Sequence, residues 1–127
     1  MIKSLVFLIG VNMAISKAFK AFLTESAEHA EAWRNAVEKL SNACRLDDRT
    51  ECLANISLLA STGIDGGLPY QVKRAKQLGI AREEVISAIL LGLPIVGNKV
   101  INSLPMALES YDGVYKEETG LHRRSSP

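Results

Sequence analysis

The chain has 127 residues, a length that fits one domain. Its hydrophobic share of 47% lies at the upper end of ordinary usage. A chain this short leaves apolar surface uncovered after folding, and subunit association is the usual way to cover it. The formal net charge of +1, with lysine and arginine scattered along the chain, argues against nucleic-acid binding.

The first residues combine Lys3 with an apolar run over 5–11, a pattern with two interpretations. One is a short secretion signal, which would send the protein out of the cell. The run is too short to cross a bilayer, which takes about 20 residues. We therefore expect an N-terminal helical segment over 1–25 that packs on the core or on a neighbouring subunit. This favours a cytoplasmic protein without membrane association, and export remains the alternative.

Helical periodicity dominates the remaining chain and predicts an all-α fold, one domain of about six helices. A second helix is predicted over 26–43, with its apolar stripe at spacings of three and four residues. Asp48 is expected to cap the third helix, and Glu51 stands three residues later, which completes a capping box. The glycine-rich turn 63–67 should end this helix.

Pro69 is well placed to begin the fourth helix, and Gly79 to end it. The fifth helix starts near residues 82–84 and is apolar nearly all round, so we expect it to be the central buried helix. Asn98 is expected to cap the last helix, which Pro105 should kink.

The chain turns polar after position 111. The predicted organisation is therefore an N-terminal helix over 1–25, a helical domain over 26–111 and a partly disordered polar tail over 112–127. Cys44 and Cys52 lack the C-x-x-C spacing of a redox pair or a zinc site, so no metal site is expected.

Several stretches in the second half of the chain share the order and spacing of a known family. They are Leu46–Leu53, which reads LDDRTECL, then Tyr70–Gly79, Arg82–Ile89 and Gly97. In this order they resemble the carboxymuconolactone decarboxylase and alkylhydroperoxidase D family. The resemblance implies a central antiparallel helix hairpin, no cofactor, and a homo-oligomer, often a trimer or a hexamer.

The chain departs from the family pattern at the redox site. The two family cysteines correspond to Ile64 and Gly67, and the family histidine corresponds to Gln71. Thiol chemistry needs a thiolate and a partner thiol, so we do not expect a thiol peroxidase. The decarboxylase branch of the family does not use the cysteine pair, and it remains open, although it usually keeps the histidine.

By the same correspondence, Glu51 and Gln71 are the candidate catalytic residues, and Tyr70, Gly67 and Asn98 the candidate substrate-binding residues. Each has a structural alternative. Glu51 would be the capping partner of Asp48, Tyr70 a packing residue, Gln71 a solvated one, and Asn98 a helix cap. Two functions follow: a cofactor-free decarboxylase (a lyase) for a small carboxylated or lactone substrate, or a non-catalytic oligomeric or small-ligand-binding member of the family.

Overall fold

The computed structural model describes residues 17–116, and every regular element in that range is helical. The elements are α1 (Lys17–Glu25), α2 (Ala27–Ala43), α3 (Asp48–Thr62), α4 (Leu68–Gln77), α5 (Arg82–Leu90), α6 (Leu93–Val96), a 3-10 helix (Asn98–Ser103) and α7 (Leu104–Asp112). Six of the α-helices have nine or more residues, which confirms the predicted all-α fold. The described chain divides into two compact units, one that includes residues 17–45 and one that spans Leu46–Tyr115.

The first unit contains α1 and α2. The prediction of a helix over 26–43 is confirmed to within one residue, whereas the predicted start of the first helix lies outside the described residues. Ala30 is the buried apolar residue of α2. Trp33 and Leu40, which belong to the same predicted stripe, are exposed. The predicted stripe is therefore only partly covered.

The start of α3 corrects the predicted capping box. The N-cap is Asp47, whose carboxylate accepts a hydrogen bond from the Thr50 backbone N–H at 2.7 Å. This hydrogen bond lowers the pKa of Asp47 below its ordinary value. The helix thus begins one residue earlier than predicted, which moves Glu51 one position past the place from which a side chain reaches back to the cap. Glu51 is therefore available for another partner.

Glycines end two helices where the sequence predicts it. Gly63 follows α3 with a φ of 74° and Gly79 follows α4 with a φ of 77°. This left-handed backbone suits glycine, which has no Cβ to clash. Pro69 stands in the first turn of α4, where its missing N–H costs no helical hydrogen bond.

Helix α5 differs from the expectation of burial all round. Val85, Ala88 and Ile89 are buried, whereas Ile86 is only partly covered and Leu91, directly after the helix, is exposed. The elements that pack on α5 are α3, α4, α7 and the 3-10 helix. They cover one face of α5 and leave apolar side chains on another.

The segment after α6 corrects the prediction of one kinked last helix. Gly97, with a φ of 86° and a ψ of −170°, occupies the cap position, and Asn98 is an exposed first residue of the 3-10 helix. Pro105 lies in the first turn of a new helix, α7, and not at a kink. Because proline lacks an N–H and presets φ, it favours starting a helix at this point.

The core of the second unit is formed by apolar side chains from α3, α4, α5, the 3-10 helix and α7. The fully buried members are Cys52, Ile56, Ala60, Leu68, Val72, Ala75, Ile80, Val85, Ile89, Val100 and Ala107. Hydrogen bonds attach α7 to this core: the Tyr111 hydroxyl donates to the Ile80 carbonyl at 2.7 Å, and Lys76 donates to the Tyr111 carbonyl at 2.7 Å. The core thereby holds α3 against α4, which positions the candidate site.

Candidate functional site

The predicted site residues Glu51 and Gln71 meet at an arginine. Arg74 on α4 donates through Nη2 to Oε1 of Glu51 on α3 at 3.2 Å. It also donates through Nη1 to the Gln71 side-chain oxygen at 3.5 Å. A carboxylate oxygen of Asp48 lies 3.6 Å from Nη2. We call Arg74, Glu51, Asp48 and Gln71 the Arg74 cluster.

Burial makes one of these contacts stronger than the other. The side chains of Arg74 and Glu51 are only 15% and 17% exposed, whereas the Asp48 side chain is 56% exposed. A charge pair removed from water interacts more strongly than one that water and salt screen. The Glu51–Arg74 ion pair is therefore the main electrostatic link between α3 and α4, and Asp48 is a weaker, solvated partner.

Cys52 and Tyr70 lie beside the Arg74 cluster. The Cys52 thiol donates to the Gln71 backbone carbonyl at 3.3 Å. Burial raises the pKa of Cys52, which the nearby Arg74 charge partly opposes. Burial likewise raises the pKa of Tyr70, again against the effect of Arg74. At neutral pH Cys52 is thus a protonated thiol and Tyr70 a neutral phenol, so neither is an activated nucleophile.

The other predicted site residues are not members of the Arg74 cluster. Gly67 precedes α4 and its carbonyl accepts the Gln71 N–H at 3.2 Å, which places it next to the cluster through the backbone. A Cβ at Gly67 would meet only Leu59, at an ordinary 3.7 Å, so packing there does not require glycine. Asn98 is exposed at the start of the 3-10 helix. Ile64 is exposed in the turn after α3.

The sequence did not point to Arg74, and one of the two interpretations of Gln71 was a solvated side chain without a catalytic role. Gln71 is buried, with only 4% exposed. A signal for both existed in helical spacing, because Asp48 and Glu51 are three residues apart on α3, and Gln71 and Arg74 are three apart on α4. What the spacing could not reveal is that the two faces oppose each other.

Over the described part of the chain, no group of three or more histidine, cysteine, aspartate or glutamate side chains is placed to hold a metal. Both cysteines are free thiols. No helix among the described residues is long and apolar enough to cross a membrane. Comparisons with protein-family models, curated proteins and solved structures gave no match.

Proposed function

We propose that this chain is a non-catalytic, self-associating member of a carboxymuconolactone decarboxylase-like family. One observation carries the proposal: the glutamate expected to move protons is held in a mostly buried ion pair with Arg74. A general base must accept a proton during turnover. A proton on Glu51 would remove its negative charge and leave Arg74, which is only 15% exposed, with the solvated Asp48 as the other carboxylate of the cluster. Glu51 is better suited to fastening α3 to α4.

The environment of the thiols supports the same conclusion for peroxide chemistry. The positions that correspond to the family cysteines hold Ile64 and Gly67. Cys52 is fully buried with a raised pKa, and both cysteines are free thiols. A thiol peroxidase needs an accessible thiolate and a second thiol within reach. The proposal retains the expectation of a cytoplasmic homo-oligomer, trimeric or hexameric as the resemblance implies.

A second candidate function, cofactor-free decarboxylation, is favoured by the looser contact at the cluster. The carboxylate of Asp48 is solvated and 3.6 Å from Arg74, so a substrate carboxylate could take its place. In such a reaction the bond from carbon to the carboxyl group breaks and carbon dioxide leaves. The electron pair stays on the carbon, which takes a proton. Tyr70, a neutral phenol beside Arg74, could supply it and be reprotonated by water.

A ligand screen separates the two functions. Purified protein is heated with small carboxylic acids and lactones, and carbon dioxide release is measured for every compound that raises the melting temperature. A ligand that binds the folded state stabilises it by mass action. If the protein is non-catalytic, no compound should release carbon dioxide. Steady carbon dioxide release that Arg74→Met and Tyr70→Phe each abolish, and that Asp48→Asn leaves intact, would establish the decarboxylase instead.

A further inference from the structure

The second unit carries large aliphatic side chains that its own core does not cover. Six of them lie on α3, in the segment 91–96 and in the 3-10 helix, and we call these six the aliphatic patch: Leu58, Leu91, Leu93, Ile95, Val96 and Ile101. Ile95 is 81% exposed and Leu91 is 66% exposed. Exposing single aliphatic side chains is ordinary, but a contiguous group of them marks an interaction surface.

The contacts of the backbone bring the patch together. Four of its members lie within residues 91–96, and the 3-10 helix that carries Ile101 packs on α6 and on α3. A Cβ built on Gly92 would lie 2.5 Å from the Ser61 side-chain oxygen and 3.2 Å from a Val100 methyl group. Gly92 therefore lies against Ser61 on α3, three residues after Leu58, which brings the segment 91–96 close to the part of α3 that carries Leu58.

The area of the patch matches the apolar centre of a subunit interface. Full burial of an aliphatic side chain yields about 1.5–3 kcal/mol at about 25 cal/mol per Å², or about 60–120 Å² each. Six side chains, each roughly half exposed, then offer about 200–400 Å² of apolar surface by the same relation. A standard interface covers about 800 Å² per partner, of which about 65% is apolar in homodimers. The patch thus supplies a large share of the requirement.

The charge pattern argues for a partner of the same chemistry. Lys99 is the only charged residue between positions 91 and 103. A surface that binds anionic lipid carries several lysines or arginines, and a surface that binds a charged protein carries the opposite charge. A second copy of this chain offers an equally apolar patch, and each copy brings only Lys99 as a charged residue from positions 91–103.

We infer that the aliphatic patch is the surface through which two copies of this chain associate. The inference rests on the proposed function, because it names the surface by which the self-associating module would assemble. It also gives a reason for the exposure of Leu91, directly after α5. Helix α6 and the 3-10 helix then display the interface.

The test is light scattering on the full chain, over a range of concentrations, with charged variants. Leu91→Glu with Ile95→Glu should raise the dissociation constant by about a hundredfold or more, because unpaired carboxylates are costly to bury. Both positions are already exposed, so the circular dichroism spectrum should remain helical. The matched control is Leu40→Glu on α2, which is 69% exposed, lies in the other unit and should leave the mass unchanged.

The outcomes separate the surface from the assembly. An oligomeric wild type whose mass falls only with Leu91→Glu and Ile95→Glu supports the inference. An oligomer that resists the double variant, or that Leu40→Glu dissociates, overturns this surface and leaves self-association standing. A wild-type monomer at all concentrations overturns both. A monomer that sediments with phosphatidylcholine or phosphatidylserine vesicles through the patch assigns it to lipid and also overturns the inference.

Discussion

Replacing Glu51 by glutamine should destabilise the protein more than replacing Asp48 by asparagine. Both substitutions are nearly isosteric, both remove one negative charge, and both residues lie in the first turn of α3. Any loss of favourable interaction with the helix dipole, about 0.3–1 kcal/mol, is therefore shared by the two variants. The difference between them reports the ion pairs with Arg74.

The geometry sets the size of that difference. Breaking a fully buried ion pair by removing one partner costs about 3–5 kcal/mol, whereas exposed pairs contribute about 0–1 kcal/mol. The Glu51 side chain is 17% exposed and lies 3.2 Å from Nη2 of Arg74, whereas the Asp48 side chain is 56% exposed and lies 3.6 Å from the same nitrogen. We expect Glu51→Gln to cost about 2 kcal/mol beyond the shared dipole term, and Asp48→Asn about 0.5 kcal/mol or less.

Urea unfolding followed by circular dichroism at neutral pH measures both free energies. A double-mutant cycle of Glu51→Gln with Arg74→Met then isolates the pair, and the coupling should exceed about 1 kcal/mol for residues in direct contact. Repeating the experiment in 1 M salt, where the Debye length is about 3 Å, should reduce the Asp48 effect more than the Glu51 effect. Equal costs for Glu51→Gln and Asp48→Asn, or a coupling near zero, would refute the reasoning.

Three further predictions follow from charge and burial. The ion pair with Arg82 lowers the pKa of Asp112 below its ordinary 3.8, so the stability it contributes is present above that value and is lost as the pH falls through the folded-state pKa. Acid unfolding should consequently be less steep in Asp112→Asn below pH 3.8, and an unchanged slope contradicts the assignment. Ellman's reagent should label Cys44 in the native protein and Cys52 only after unfolding, since Cys52 is fully buried. Rapid labelling of both thiols in the native wild type, or of Cys52 in native Cys44→Ser, would contradict the burial of Cys52 in this core. Ile56→Ala should cost about 2–5 kcal/mol in urea unfolding because it opens a cavity in the second unit, and a cost under 1 kcal/mol would mean that the site is not packed as described.

The ends of helices were predicted correctly where a single residue type determines the backbone conformation. The glycine stops at Gly63 and Gly79 require no knowledge of the rest of the fold, because a left-handed backbone selects glycine by itself. The cap of α3 failed by one residue because Asp47 and Asp48 are adjacent and equally able to cap. Periodicity likewise could not decide whether Pro105 bends a helix or starts one.

The site was predictable only in part, for a different reason. The resemblance singled out Glu51 and Gln71, but it gave no indication of Arg74, to which both side chains are hydrogen-bonded. An ion pair between two helices depends on their rotation and distance, which a single sequence does not encode locally. For the same reason the sequence could not show that Asn98 is not a cap. Gly97 occupies the cap position, and Asn98 is the first residue of the 3-10 helix.

The division at position 45 also separates the chain's natural chromophores. Trp33 is the only tryptophan and belongs to the unit that includes residues 17–45, whereas all three tyrosines, Tyr70, Tyr111 and Tyr115, belong to the unit over Leu46–Tyr115. Indole fluorescence therefore follows one unit, and the near-ultraviolet tyrosine signal follows the other. Whether the two units unfold in a single transition can be read from one unlabelled sample, by asking whether the two signals change at the same urea concentration.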